Sequence, residues 1–154
     1  MYPTSTSVTS CLLTAAAWDR TLNFLVESKA ITKAEVWGDG VTWGNYVEKT
    51  FEFDGKYSID DGESYDESKT TKPENKFCLL GTGVAEDTEK KNIYDLAGNL
   101  SEWTTEAQSS EGRVSRGGSY YSNEISSPAN CRDDSMPKTT RAYVGFRPTL
   151  YISL

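Results

Sequence analysis

The chain of 154 residues contains no histidine. With it go the usual general base near neutral pH, imidazole metal sites and every Ser-His or Cys-His pair, and so most hydrolase chemistry. Cysteine is scarce: Cys11, Cys78 and Cys131 lie far apart with no C-x-x-C spacing. They predict reduced thiols rather than a zinc site or a disulfide framework. No apolar run approaches the roughly 20 residues of a membrane span. The N-terminus has no basic segment followed by an apolar one, so no signal peptide and no membrane insertion are expected of the given chain. Positive charge is in deficit, 16 Lys+Arg against 23 Asp+Glu for a net charge of -7. That balance argues against a nucleic-acid backbone or an anionic membrane as the main partner. The length suits one domain over residues 1–154, large enough to bury a core.

Regular periodicity is concentrated near the start. Ser and Thr with one Pro over residues 1–10 suit an extended lead-in or edge strand. From Thr14 to about Lys29, Ala15, Trp18, Leu22, Leu25 and Val26 recur at helical spacing, with Thr14 placed as N-cap. Residues 30–50 then mix Val36, Trp37, Val41, Trp43 and Tyr46 with Gly38, Gly40 and Gly44, which predicts short irregular segments pinned by buried indoles. Asp54 to Lys76 is polar and reads as a surface loop. Its acidic group Asp60, Asp61, Glu63 and Asp66 lacks the oxygen register of an EF-hand, so solvated carboxylates are expected over a calcium loop. Phe77 to Leu80 reads as a short strand.

Two stretches carry chemistry. In Asn92–Trp103, NIYDLAGNLSEW, apolar residues flank an Asp-x-x-Gly-Asn turn where Gly98 and Asn99 suit positive φ. Asp95, Glu102 and the carbonyls between them can present oxygen ligands to calcium. Equally, Asp95 can cap turn amides while Glu102 pairs with Arg116, Arg132 or Arg147. The second stretch, Arg113 to Tyr151, sets Arg116-Gly117-Gly118-Ser119 and Gly145-Phe146-Arg147-Pro148 around an interior of Tyr, Ser, Asn, Asp and Thr. Such an interior fits a binding surface better than a core, because Tyr offers large contact area at low entropic cost.

The ordered set NIYDLAGNLSEW, Arg116-Gly-Gly-Ser119, Arg132 with Pro137, and Gly145-Phe146-Arg147 resembles the formylglycine-generating enzyme and sulfatase-modifying-factor family. So do the Trp18 helix and Trp43-Gly44-Asn45. The resemblance implies an α+β fold of the C-type-lectin kind, with one clear N-terminal helix, few regular strands and much irregular chain. It also implies calcium on Asp95 and Glu102 with the carbonyls of Gly98 and Leu100. The family's oxidase cysteines match Ser122 and Ser127, and Cys131 is out of register. A serine hydroxyl neither binds Cu(I) as thiolate nor cycles through a disulfide, so an inactive, non-enzymatic copy is expected. Trp18-Asp19, the Asp-Leu-Ala-Gly-Asn turn and the terminal cassette look most like variable proteins of diversity-generating retroelements.

The expected function is therefore a diversified ligand-binding face on a lectin-type scaffold. Its residues are Tyr120, Tyr121, Ser122, Asn123 and Glu124, then Asn130, Asp133, Asp134, Ser135 and Met136, then Lys138, Thr139, Arg141 and Tyr143. Tyr120, Tyr121 and Tyr143 are the expected anchors. Arg116, Arg132 and Arg147 read as framework. The expected partner is a protein or glycan on a target cell surface, with the chain on a phage virion or bacterial surface and oligomers open. The alternatives are an active oxidase of the same family and a structural virion or surface domain.

Overall fold

The computed structural model describes residues 8–38, 43–53, 58–60 and 71–152. Strand β1 (Val8–Leu12) leads into helix α1 (Ala15–Glu27). Thr14 is extended, and its hydroxyl accepts a hydrogen bond from the Ala17 amide at 3.1 Å, the N-cap expected of it. Trp18, Leu22 and Leu25 form the buried stripe of α1. A single further turn, α2 (Lys33–Val36), is held by a capping box between Thr32 and Glu35. Trp37, which follows, is 68% exposed, whereas Trp43 is 2% exposed. Only one of the two indoles expected to be buried there is buried.

Strands β2 (Phe51–Glu52) and β4 (Thr71–Lys72) pair, as do β3 (Ser58–Asp60) and β5 (Cys78–Leu80), so part of the expected loop is short antiparallel strand. Of its acidic group, Asp61, Glu63 and Asp66 lie outside the described residues, as does Val41. Strands β6 (Glu89–Lys90) and β7 (Ile93–Tyr94) lead to the main sheet. There β8 (Ser101–Ala107) and β9 (Arg113–Arg116) make a hairpin, flanked by β10 (Arg132–Ser135) against β9 and β11 (Val144–Phe146) parallel to β8. The order is β10-β9-β8-β11. Strand β12 (Pro148–Ile152) returns to β1, pairing Leu12 with Pro148 and Val8 with Ile152.

The described chain is thus mixed α and β, with few helices and many short strands. Its first core cluster gathers Trp18, Leu22, Leu25, Trp43, Tyr46 and Leu96 around α1; a second holds Phe51, Phe53, Cys78, Leu80 and Ala85. Trp18 Nε1 donates to the Ala129 carbonyl at 3.0 Å, tying the helix to the C-terminal cassette.

Candidate functional site

The Asp95–Asn99 turn sits where the two clusters meet. Asp95, Gly98 and Asn99 all have positive φ, 53°, 69° and 56°, which Asp, Gly and Asn tolerate best. At Gly98 a Cβ would sit on the Asn45 carbonyl, so only glycine fits. Asn99 is the joint of the molecule. Its Oδ1 accepts from the Leu80 amide at 3.0 Å and from Asn45 Nδ2 at 3.1 Å, and its Nδ2 donates to the Leu80 carbonyl at 3.1 Å. Its own carbonyl accepts from the Tyr120 amide at 2.9 Å, so the turn holds the start of the cassette.

On the other side of this turn lies a cavity of about 260 Å3 lined by Thr82, Asp95, Asn99, Leu100, Glu102 and Arg147 among others. Arg147 chelates Glu102, Nε to Oε2 at 2.9 Å and Nη2 to Oε1 at 2.6 Å, and Nη2 also donates to the Tyr94 carbonyl at 2.8 Å. Of the three arginines considered for Glu102, Arg147 makes the pair. Both carboxylate oxygens of Asp95 are buried; no hydrogen bond of full geometry reaches them, although Thr88 lies close enough to favour the charged form. Burial pushes both the Asp95 and Glu102 carboxyls up, with Thr88 opposing the rise at Asp95 and Arg147 opposing it at Glu102. Two carboxylates against one guanidinium leave one uncompensated negative charge. Each Glu102 oxygen keeps a second lone pair. A hard, all-oxygen cation fits this donor set. Among the described residues no group of three or more Cys, Asp or Glu forms a metal cluster, so any such ion depends on carbonyls as well.

The cassette leaves β9 through Gly117 and Gly118, φ 91° and 70°. A Cβ on Gly118 would overlap the Ser127 carbonyl, which keeps the chain tight there. Ser122 Oγ lies 3.1 Å from Ser119 Oγ, and the Ser127 amide donates to the Asn123 carbonyl at 3.1 Å. Burial pushes the Cys131 thiol up, with the Gly118 amide opposing it.

The residues expected on one face fall into separate places. Tyr121, 42% exposed, is the centre of an aromatic group, 4.5 Å from the Tyr120 ring and 5.7 Å from that of Tyr143. Tyr120 itself is only 7% exposed, and burial pushes its hydroxyl up to about 12. Arg141 Nη1 donates to Tyr143 Oη at 2.5 Å. Asp134, Ser135, Met136, Thr139 and Arg141 line a second cavity of about 330 Å3 with Ser109, Glu111 and Gly112 of the β8–β9 turn. Ser135 is buried there, while Met136, Lys138 and Thr139 are exposed. Asp133 and Asp134 are exposed on edge strand β10, three strand spacings, about 14 Å, from β11. Asn123 caps Ser126 and is exposed. Asn130 faces a different cavity beside α1. Glu124 is already engaged, its carboxylate 2.5 Å from Lys49 Nζ and its amide donating to Glu48 Oε1 at 2.6 Å.

Five residues that no sequence motif marks also contribute. Phe77 packs on Tyr121 with ring centroids 4.3 Å apart. Lys72 is fully buried, and its Nζ donates to the carbonyls of Tyr46, Val47 and Lys49 at 2.8, 3.1 and 2.7 Å. Lys49, Glu48 and the Val47 amide, which donates to the Ser122 carbonyl at 3.0 Å, then support residues 122–124. Nothing in the uniformly polar run around Lys72 marks it as the residue that turns inward. Arg116 pairs with Asp19, and Arg132 with Glu106, consistent with framework duty.

An irregular mixed domain with a positive-φ Asp-x-x-Gly-Asn turn and a Gly-Gly-Ser exit from its main hairpin defines the class. The model of the sulfatase-modifying factor enzyme 1-like domain matches residues 27–150, and the chain belongs to that family. No curated protein and no solved structure matches the chain.

Proposed function

We propose that the chain is a non-catalytic, ligand-binding member of its family, built on a C-type-lectin-like fold. Residues 113–151 would serve as a diversified face, as in variable proteins of diversity-generating retroelements. The observation that carries this reading is Ser122, hydrogen-bonded to Ser119 in the register where the family resemblance puts the first oxidase thiol, with Ser127 at the second. Hydroxyls there supply neither thiolate nor redox chemistry. What replaces that chemistry is recognition: a half-exposed Tyr121 braced by Phe77, Tyr120 and Tyr143, with Arg141 against Tyr143. The partner is a protein or glycan on a target cell surface, met from a phage virion or bacterial surface. Asp95, Glu102 and the carbonyls of Gly98 and Leu100 form a structural calcium site under the same reading.

The DNA flanking the gene tests the class. A near-identical template repeat, mismatched at adenines aligned with codons for residues 120–144, beside a reverse transcriptase gene is the expected result. Variation spread evenly over the whole chain in sister strains would overturn diversification. Tight Cu(I) binding or thiol oxidation by the purified protein would overturn the non-catalytic part.

A further inference from the structure

Away from the tyrosine cluster, α1, α2 and the β9–β10 pair surround a cavity of about 510 Å3, within the size range of small-molecule sites. Its α1 wall is a single stripe, Asp19, Leu22, Asn23, Val26 and Glu27, spaced as one face of a helix requires. Leu22, Val26 and Val36 give it an apolar surface, and Trp37 lines it with 68% of its own surface in water. An indole left so exposed beside a cavity marks a surface that binding would cover.

The polar wall is anchored by Arg116, whose side chain is 2% exposed. Its guanidinium donates to Asp19 and, among the described residues, makes no other hydrogen bond; Nε is buried without a partner. A guanidinium has five N–H donors. Its one carboxylate partner, Asp19, is 54% exposed and so screened by solvent. Burial accordingly lowers the Arg116 pKa, with Asp19 opposing the change. The lining carries Lys33, Arg116 and Arg132 with Asp19 and Glu27; Glu106, outside the lining, balances Arg132, so the wall has no excess negative charge in a chain of net charge -7.

We propose that this cavity binds a small organic carboxylate with a flat apolar body. The carboxylate meets the part of the Arg116 side chain that lines the cavity beside Asp19, and the body lies on Leu22, Val26 and Val36 against the Trp37 ring. Recognition combines a charge-assisted contact with a face-on aromatic one. The site does not include Ser122, Ser127 or the tyrosine cluster, and of the residues expected on the diversified face only Asn130 lines it.

Benzoate is the probe, with benzamide as its uncharged isostere, titrated into the full chain while indole N–H resonances and tryptophan fluorescence are followed. Benzoate should shift saturably the one indole signal that Trp37→Ala removes, and benzamide should bind at least about tenfold more weakly. Trp37→Ala, at an exposed position, should keep the melting temperature of the parent, and benzoate binding to it, read by calorimetric titration because the reporter indole is gone, should be at least about tenfold weaker. Arg116→Lys retains charge but not the fork, and about a tenfold loss of affinity is expected. Should that variant fail to fold, Lys33→Gln and Trp37→Ala still decide the matter, Lys33→Gln weakening benzoate but not benzamide. Equal binding of the two probes, unchanged benzoate binding in Trp37→Ala, or no saturable shift at millimolar benzoate overturns the proposal.

Discussion

Tyr120 and Tyr121 are neighbours with opposite duties. Tyr120 is 7% exposed and its amide donates to the Asn99 carbonyl, whereas Tyr121 is 42% exposed on top of it. Tyr120→Ala should therefore cost about 3 kcal/mol of stability through the cavity it opens. Tyr121→Ala and Tyr143→Ala should each cost under about 1 kcal/mol and act on binding instead. Thermal melts of the three variants separate these outcomes; equal destabilisation by Tyr120→Ala and Tyr121→Ala would remove the distinction. The sequence put all three tyrosines in one class because residue type does not say which ring the chain turns inward. Cys131 offers a residue-level check by pH. Its folded pKa lies above a thiol's ordinary 9.0, chiefly through burial. The folded state thus holds its proton more tightly than the unfolded chain. The associated stability is whole below that ordinary value and declines as pH rises from it through the folded pKa. Cys131→Ser should flatten the alkaline fall in melting temperature, and native Cys131 should react with a thiol reagent at pH 8 more slowly than in the unfolded protein.

At the scale of elements, α1 was legible almost to its ends, because its N-cap and apolar stripe are local facts. Its observed span, Ala15–Glu27, lies inside the expected Thr14–Lys29. The positive-φ turn at Gly98 and Asn99 was legible for the same reason. The loop around Tyr46–Lys49 was not, since its fixed point is Lys72, 23 to 26 residues away. Lys72 Nζ acts there as a built-in cation for three carbonyls. Lys72→Met should leave those carbonyls unsatisfied, lower stability by about 3 kcal/mol, and speed amide exchange at Val47. Because that amide and Glu48 hold residues 122–124, the Glu124 amide should exchange faster as well. Faster exchange at Val47 with an unaltered Glu124 would break the proposed link between this loop and the cassette.

Across the whole molecule, β1–β12 and β11–β8 bring residues from both ends of the described chain beside the turn, and Arg147 lies between them. If calcium occupies the Asp95–Glu102 site, folding and ion binding are linked. Calcium at 100 times its Kd should then add about 2.7 kcal/mol of stability, reversed by EDTA and abolished in Asp95→Ala. A melt indifferent to calcium and to EDTA argues that Arg147 alone supplies the positive charge. Which arginine meets Glu102 was open in the sequence, because Arg116, Arg132 and Arg147 are chemically identical; strand register chose Arg147. The sequence by itself determined what short-range chemistry determines: the capped helix, the Gly-Asn turn, and hydroxyls at Ser122 and Ser127. Only the tertiary structure decided that Trp43 is core and Trp37 is surface, that Phe77 braces Tyr121, and that Lys72 is buried. Each of those outcomes rests on contacts between residues distant in the chain, and local propensity carries no record of where the chain returns.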